Sequence, residues 1–339
     1  MSPQFQPTTP RETELLDWIG RATGTRDFEI TPVTEDASFR RYFRISAAFG
    51  TRIVMDAPPP REDCRPFVKV AAMLRQTGLN APEVLAQDLE RGFLLLTDLG
   101  NQTYLQALDQ DNANALFSDA IDALIRWQLA SQPGMLPPYD ESLLGRELDL
   151  FPDWYVARHL KRELNAGQRA TLDEQFRRIL TANLAQPCVF VHRDYMPRNL
   201  MVSTPNPGIL DFQDAVYGPI SYDLASLFKD AFISWEEERV LDWTIRYWER
   251  ARKAGLPVAD DFGEFYREFE WMGLQRHLKV LGIFARINYR DGKPGYLQDT
   301  PRFVTYVRKV CERYSELTPL LRLFDELMGA EAAAAGYIF

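Results

Sequence analysis

Residues 191–202 read VHRDYMPRNLMV, and a second stretch, DFQD, begins at Asp211. The first stretch is an apolar strand that runs into His-Arg-Asp, with Asn199 five residues after Asp194. Asp211 follows Asp194 by 17 residues, and the turn sequence PNPG at 205–208 divides the apolar residues between them. A strand, a polar loop, a hairpin and a closing acidic residue together indicate a catalytic centre.

The spacing of these polar residues fits one kind of chemistry. Phosphoryl transfer from a nucleotide needs a carboxylate that orients the attacking hydroxyl and oxygen ligands that hold Mg²⁺ on the phosphates. A kinase catalytic loop places its base five residues before a metal-binding Asn, and a second metal-binding Asp follows. The sequence therefore predicts Asp194 as the base and Asn199 and Asp211 as metal ligands. His192 is expected in the interior, where it braces the loop through hydrogen bonds.

Composition sets limits on the class of protein. The 339 residues carry Lys+Arg 39 against Asp+Glu 48, a net charge of −9. This acidic balance argues against nucleic-acid partners and against docking on an anionic membrane. No apolar run approaches the roughly 20 residues of a membrane span, and residues 1–4 have neither a basic flank nor an apolar run, so we expect no signal peptide. Three widely spaced cysteines fit a reduced, cytoplasmic protein. With only three histidines, any metal is expected to be a hard ion with oxygen ligands.

Apolar periodicity predicts two lobes. Strands are expected at 39–45, 51–55, 83–86 and 93–97, with one helix at 66–76. After residue 100 the pattern becomes helical, with long amphipathic segments at 112–130, 166–184, 236–253, 261–289 and 301–328. The predicted fold class is therefore α+β, with a small β-rich N-lobe over 1–97 and a larger, mainly helical C-lobe over 98–339.

Over residues 30–290 the chain resembles the aminoglycoside phosphotransferase-like family, which are small-molecule kinases with the bilobal protein-kinase-like fold. The stretch 94–100, LLLTDLG, is similar to the family hinge, and 218–225, GPISYDLA, to the segment after its metal loop. The resemblance implies ATP and Mg²⁺ as cofactors, hinge contacts to the nucleotide, and an Asp at a helix start that braces the catalytic loop. The hinge residues implied are Thr97, Asp98 and Leu99. A protein kinase is disfavoured because Met196 stands where that family has Lys.

Within the family, four stretches resemble the kinases that phosphorylate the anomeric (C1) hydroxyl of N-acetylmuramate and N-acetylglucosamine. They are DASFRRYFR at 36–44, MDAPP at 55–59, HRDYMPRN at 192–199 and QRHLKVLG at 275–282. The implied partner is a small-molecule amino sugar, bound by a monomer. Kinases of an aminoglycoside, choline or thiamine remain the alternative enzymes.

The phosphate-binding parts depart from the kinase pattern. Residues 34–38 contain no glycine, and the third strand ends on Met and Asp where a phosphate-pairing lysine is usual. Lys69 is the one lysine in the first 160 residues. Ser38 is predicted to offer its hydroxyl and N–H to a phosphate, and Arg44 or Arg52 to supply the positive charge. Because these parts differ, a nucleotide-binding scaffold without turnover stays open as an alternative.

The acceptor is expected beside the base, against the helix that follows residue 260. Trp271, Gln275 and Lys279 recur every four residues, so they share a helix face, and Arg276 lies beside them. A cation there would bind the lactyl carboxylate of N-acetylmuramate, and an aromatic ring would stack on the sugar. An ordinary amphipathic helix is the alternative. The predicted substrate residues are Tyr195, Arg198, Trp271, Gln275, Arg276 and Lys279.

Overall fold

A computed structural model describes residues 7–35 and 39–328. By its internal contacts the chain divides into two compact units. The first contains residues up to Trp127 together with Arg198–Asp214, and the second contains Gln128–Pro197 together with the residues from Ala215 onwards. The chain therefore passes from one unit to the other within the catalytic segment, between Pro197 and Arg198. The boundary at residues 97 and 98 expected for the two functional lobes stays a prediction.

The first unit is built on an antiparallel sheet of five strands in the order β1-β2-β3-β5-β4. The predicted strands and the predicted helix at 66–76 are confirmed, each within two or three residues. Along the chain its elements are α1 Pro10–Thr23, β1 Glu29–Glu35, β2 Arg41–Ala47, β3 Gly50–Asp56, α2 Arg65–Gln76, β4 Val84–Asp88, β5 Phe93–Thr97, α3 Tyr104–Ala107 and α4 Ala113–Leu129, whose last two residues belong to the second unit.

Helix α1 packs its apolar face on this sheet. Thr9 and Glu12 form a capping box, in which the Thr9 hydroxyl accepts the Glu12 N–H at 3.2 Å and the Glu12 carboxylate accepts the Thr9 N–H at 3.1 Å. The helix stops at Thr23, before the left-handed Gly24. Its inward residues join those of the sheet in one core, made of Leu15, Trp18, Ile19, Ile30, Phe43, Ile45, Val54, Phe93 and Leu95.

A buried carboxylate ties α1 to the sheet. Asp56, at the end of β3, has no exposed surface and accepts hydrogen bonds from two guanidinium groups. Arg11 donates to it at 2.9 and 2.5 Å, and Arg41 donates at 3.1 and 2.6 Å. Arg41 also bonds Glu12 at 2.9 Å. Asp56, which stands near the position where kinases usually have a lysine, thus bonds to Arg11 and Arg41 within this unit.

The second unit is mainly helical. From residue 128 onwards the elements of the whole chain are α5 Glu141–Leu150, a π-helix Phe151–His159, α6 Ala166–Leu184, β6 Cys188–Val191, β7 Leu200–Met201, β8 Gly208–Ile209, β9 Val216–Pro219, α7 Tyr222–Phe228, α8 Glu237–Ala254, α9 Phe262–Asp291, α10 Thr300–Arg313 and α11 Thr318–Met328. Strands β7 and β8 belong to the first unit and pair as the predicted hairpin, whereas β6 pairs with β9.

Two sequence expectations about this part were wrong. The continuous helix predicted at 301–328 is broken because Tyr314, which follows α10, is extended, with φ −112° and ψ 113°. Pro319, in the first turn of α11, also has no N–H for a helical hydrogen bond to the Ser315 carbonyl. Residues 141–159, for which no element was expected, form α5 and the π-helix. Apolar patterning was weak there because the segment mixes charged and apolar residues on short helices.

Helices α5 and α9 approach each other closely at one glycine. A Cβ atom placed at Gly282 would lie 2.3 Å from the carbonyl carbon and oxygen of Leu150, the last residue of α5. No side chain fits at that distance, so the two helices are in backbone contact at this point. In the part of the chain that the structure describes, no helix is long and apolar enough to cross a lipid bilayer.

The Asp56 network predicts that two ion pairs of α1, the buried pair of Arg11 with Asp56 and the exposed pair of Asp17 with Arg26, contribute very differently to stability. Replacing Asp56 by Asn leaves Arg11 and Arg41 without their buried anion, so we expect the free energy of unfolding to fall by about 3 kcal/mol. Asp17→Asn removes the exposed α1 pair with Arg26 (N···O 3.0 Å) and should cost less than about 0.5 kcal/mol. Urea denaturation of the two variants measures both values. Equal losses would mean that the buried carboxylate does not anchor α1.

Candidate active site

The loop that carries Asp194 is held from below by the start of α7. Asp223 is fully buried, and its two carboxylate oxygens accept the backbone N–H groups of His192 at 2.6 Å and Arg193 at 2.9 Å. The bracing role expected for this Asp is confirmed. Burial raises the pKa of the Asp223 carboxyl to about 7, while the two N–H donors act in the opposite direction. His192 is also buried, as predicted, and its Nδ1 accepts the N–H of Asp194 at 3.3 Å.

Arg193 gives the loop its turn. Its backbone is left-handed, with φ 75°, a conformation that is costly for a residue other than glycine and that collects at functional sites. The hydroxyl of Ser226 donates to its carbonyl at 3.4 Å, and its guanidinium bonds Glu147 at 2.7 Å. The guanidinium also lies 5.4 Å from the ring centroid of Tyr139. Backbone and side-chain contacts therefore fix the residue that immediately precedes Asp194.

The two predicted metal ligands lie side by side in the first unit. The amide of Asn199 is 3.5 Å from a carboxylate oxygen of Asp211, and the Leu210 N–H bonds the Asn199 carbonyl at 2.9 Å. Asp211 is the second left-handed residue of the motif, with φ 60°. Gln213, which the sequence did not single out, donates to the other Asp211 oxygen at 2.9 Å. A carboxylate beside an amide supplies the oxygen donors that Mg²⁺ prefers, so these residues fit the ion.

The donor set is small. Among the residues that the structure describes, no three or more His, Cys, Asp or Glu side chains gather into a metal-holding cluster. A set of one carboxylate and one amide suits an ion that takes its remaining ligands from phosphates and water, as Mg²⁺ does in nucleotide sites.

The predicted hinge contains an ion pair. Arg44 on β2 donates to both carboxylate oxygens of Asp98, at 2.7 and 3.0 Å, and to the Gly100 carbonyl at 2.7 Å. Burial raises the pKa of Asp98, but the hydrogen bonds from Arg44 and from the Gly100 N–H have a larger, opposite effect. The pKa of Asp98 is therefore lowered. The Arg44 charge is thus engaged by the hinge. Thr97 ends β5 and accepts the Glu83 N–H at 2.9 Å, and Leu99 follows Asp98.

The structure places a different arginine near Asp211, the predicted metal ligand. Arg40 precedes β2, is 13% exposed and forms an ion pair with Glu62 at 3.5 Å. Burial lowers the pKa of Arg40, but the nearby acidic groups of Tyr42, Asp211, Glu62 and Asp214 outweigh burial and raise it. Sequence reasoning missed this residue because its neighbours come from distant segments. Ser38, predicted as a phosphate ligand, lies outside the described residues.

Two of the predicted substrate residues meet at one carboxylate. Lys279 and Gln275 lie on the same face of α9, as predicted, and both are buried. Lys279 Nζ donates to Glu147 at 2.8 Å and to the Tyr222 hydroxyl at 3.0 Å, and Gln275 donates to Glu147 at 3.3 Å. Glu147 is the centre that sequence reasoning missed, since nothing in its local sequence distinguishes it from a surface residue of α5.

The other predicted substrate residues lie elsewhere. Trp271 is buried, with the Arg267 guanidinium 4.5 Å from its ring centroid. Arg276 is buried and acts electrostatically on Asp223. Tyr195 is buried with its ring edge-on to His192, and Arg198 is half-buried in the first unit. Their substrate roles stay predictions.

The charged partners of Glu147 predict a pH dependence of stability. Burial raises the pKa of Glu147, but Lys279 and Arg193 outweigh burial and lower it from 4.5 to about 2. At 1.36 kcal/mol per pKa unit this corresponds to roughly 3 kcal/mol of stability. Because the folded-state pKa is depressed, this stability is present above pH 4.5 and is lost as the pH falls towards 2.

We therefore expect the free energy of unfolding of the wild type to fall more steeply between about pH 5 and pH 3 than that of Glu147→Gln, which cannot titrate. Urea denaturation at a series of pH values compares the two slopes. Parallel curves would show that the carboxylate is not held in its ionised form by its neighbours.

The amino-acid sequence of the chain is similar to those of known proteins. Residues 29–262 match the model of the Phosphotransferase enzyme family. An N-acetylmuramate/N-acetylglucosamine kinase of Pseudomonas aeruginosa is 56% identical over 305 residues, which cover 90% of each chain. A kinase of the same name from Neisseria meningitidis serogroup B is 51% identical over 334 residues, covering 97% of this chain and 99% of the other.

The fold is similar to that of solved structures. The choline kinase LicA of Streptococcus pneumoniae has a TM-score of 0.64 at 13% identity, covering 89% of this chain and all of the other. This likeness confirms the predicted α+β, protein-kinase-like fold, with the antiparallel sheet in the N-terminal part and helices predominating after it. Together with the family match over most of the chain, it establishes that this protein belongs to the Phosphotransferase enzyme family and is an enzyme of the kinase type.

Proposed function

We propose that this enzyme transfers the γ-phosphoryl group of ATP to the anomeric hydroxyl of N-acetylmuramate and N-acetylglucosamine, in the recycling of peptidoglycan. The observation that carries the proposal is the identity of 51–56%, along nearly whole chains, to kinases named for these two sugars. The four sequence stretches similar to amino-sugar kinases support the same acceptor. An anomeric hydroxyl is more acidic than an ordinary sugar hydroxyl, which suits transfer assisted by a single carboxylate base.

Asp194 acts as the base in this proposal. Its carboxylate orients the acceptor hydroxyl and takes up its proton as the bond to phosphorus forms, which is the role of the catalytic-loop aspartate in phosphoryl transfer. The neighbouring contacts of His192 and Arg193 with Asp223 keep the loop in one conformation. A base held in this way loses little free energy to reorganisation when the acceptor arrives.

Asn199 and Asp211 hold Mg²⁺, and the carboxylate of Asp211 is oriented for this by Gln213. When bound, Mg²⁺ neutralises charge that develops on the transferred phosphoryl group. Arg40 supplies the positive charge for the phosphates. Arg44 does not, because it is engaged with Asp98. An arginine suits this place because its fork of donors matches phosphate oxygens.

The proposal places the enzyme in the cytoplasm, as a monomer. Cys64, Cys188 and Cys311 are all free thiols, which is typical of a reducing compartment. The acceptor is bound next to Asp194, with Tyr195 and Arg198 of the catalytic segment as the nearest candidates for contact along the chain.

The acceptor can be tested directly. With Mg·ATP, we expect release of ADP in the presence of N-acetylmuramate or N-acetylglucosamine, and a product whose phosphorus signal couples to H1 of the sugar. The methyl glycoside of N-acetylglucosamine, in which the anomeric oxygen is blocked, should give no turnover. Turnover of the methyl glycoside, or a product phosphorylated on the hydroxymethyl group, would move the reaction to another hydroxyl. Turnover of an aminoglycoside, choline or thiamine without turnover of either sugar would replace the proposed acceptor.

A substitution of the base gives a second prediction. Asp194→Asn keeps the size of the side chain but cannot accept a proton, so we expect kcat to fall by about 10²–10⁴-fold. Nucleotide binding, followed by titration calorimetry with ATP and Mg²⁺, should change little, because Asp194 does not hold the nucleotide in this proposal. The control Asp260→Asn alters a fully exposed carboxylate and should leave kcat unchanged. Near-normal kcat in Asp194→Asn would remove Asp194 as the base.

A further inference from the structure

Glu147 has an unusual number of polar partners for a buried carboxylate. Its side chain is 7% exposed and accepts from Arg193 at 2.7 Å, Lys279 at 2.8 Å, Gln275 at 3.3 Å and the Tyr139 hydroxyl at 2.5 Å. We call these four residues and Glu147 the Glu147 cluster. It joins α5, α9 and the catalytic loop, three elements that lie far apart in the sequence.

A cluster of this kind is a poor way to gain stability alone. Moving a carboxylate and two cations out of water is costly, and apolar residues of similar size often stabilise a core as well or better. What a buried, fully hydrogen-bonded ion pair does provide is a fixed geometry, since each partner has one favourable place. The position of the fixed group therefore indicates what the cluster is for.

The group that is fixed is Arg193. Its left-handed backbone is pinned at the N–H by Asp223 and at the carbonyl by Ser226, and its side chain is pinned by Glu147. Asp194 is the next residue, so the conformation of Arg193 sets the direction in which the Asp194 side chain leaves the loop. The negative field of Asp194 also acts on both Arg193 and Lys279, which places all three charges in one neighbourhood.

We propose that Glu147, with its charge balanced by Lys279, is a positioning residue that holds Asp194 in its working orientation through Arg193. This inference rests on the proposed role of Asp194 as the base. It gives Lys279 a different task from the one the sequence predicted: Lys279 acts through Glu147, and does not bind the carboxylate of the acceptor.

The chain contains a matched control for this proposal. Glu270 on α9 is also buried, and its partners repeat those of Glu147 by type: Lys229 at 3.5 Å, Arg313, and the Tyr314 hydroxyl at 2.8 Å. None of these partners is part of the catalytic loop. Glu147→Gln and Glu270→Gln therefore remove the same charge from similar surroundings, and differ in whether the loop is affected.

We expect both variants to lose thermal stability to a similar degree. Glu147→Gln should in addition lose at least about tenfold in kcat, with the KM for each sugar and the Kd for Mg·ATP nearly unchanged, because only the orientation of the base is altered. Glu270→Gln should keep its kcat within about twofold. Equal kcat in the two variants, measured at a temperature where both are folded, would overturn the proposal.

Lys279→Met separates positioning from acceptor binding. A positioning role predicts an equal fall in kcat with N-acetylmuramate and with N-acetylglucosamine, and partial recovery in Lys279→Arg, which restores the positive charge. A role in binding the acceptor carboxylate predicts a higher KM for N-acetylmuramate alone, and that result would overturn the inference. If Glu147→Gln does not fold, Tyr139→Phe, which removes one hydrogen bond from Glu147 and keeps the ring, should still lower kcat without raising KM, and unchanged kcat would count against the proposal.

The outcomes also distinguish this inference from the proposed function. If the wild type phosphorylates neither sugar, or if Asp194→Asn remains active, the function or the base is wrong. If the wild type is active and Asp194→Asn is not, but Glu147→Gln behaves as Glu270→Gln does, the positioning role alone is wrong.

Discussion

The left-handed backbone of Arg193 is the constraint on which the catalytic segment depends. An ordinary residue pays roughly 1–3 kcal/mol to adopt such a conformation, and it does so only where surrounding contacts hold it there. Here the contacts come from Asp223 under the backbone and Glu147 under the side chain. Asp211 repeats the conformation at the other end of the motif. Asp194, the proposed base, therefore directly follows one left-handed residue, and Asp211, a proposed metal ligand, is the other.

Each of the two units contains a buried carboxylate that is neutralised by two cationic side chains. Asp56 in the first unit and Glu147 in the second each accept hydrogen bonds from two cations. Asp56 fastens an N-terminal helix to a sheet, and Glu147 fastens a loop to two helices. An apolar side chain in either place could pack without fixing the orientation of its neighbours. The buried charge instead fixes the orientation of the groups that bond to it.

The sequence was informative where function depends on local order. The spacing of Asp194, Asn199 and Asp211 and the alternation of the strands are local patterns, and both predicted their elements well. Long-range pairings were not accessible: Glu147 and Lys279 are 132 residues apart, and neither residue signals the other. The helical periodicity of α9 correctly placed Gln275 and Lys279 on one face. The partner of that face depends on the tertiary structure, and it is the carboxylate of Glu147.

The same limit applied to the phosphate-binding side. Arg44 and Arg40 are four residues apart and equally charged, and composition does not distinguish them. Only the fold shows that Arg44 meets Asp98 while Arg40 lies in the field of Asp211. Ser38 lies outside the described residues, and its predicted contact stays a prediction.

The backbone contact at Gly282 has a consequence for how this enzyme can change over generations. Gly282 is three residues beyond Lys279, and Leu150 is three residues beyond Glu147, so the contact lies about one helical turn from the ion pair. Even one added methyl group at 282 forces the helices apart next to that pair. Substitution of Gly282 is therefore disfavoured by the neighbouring backbone, although Gly282 has no proposed role in binding the nucleotide or the sugar.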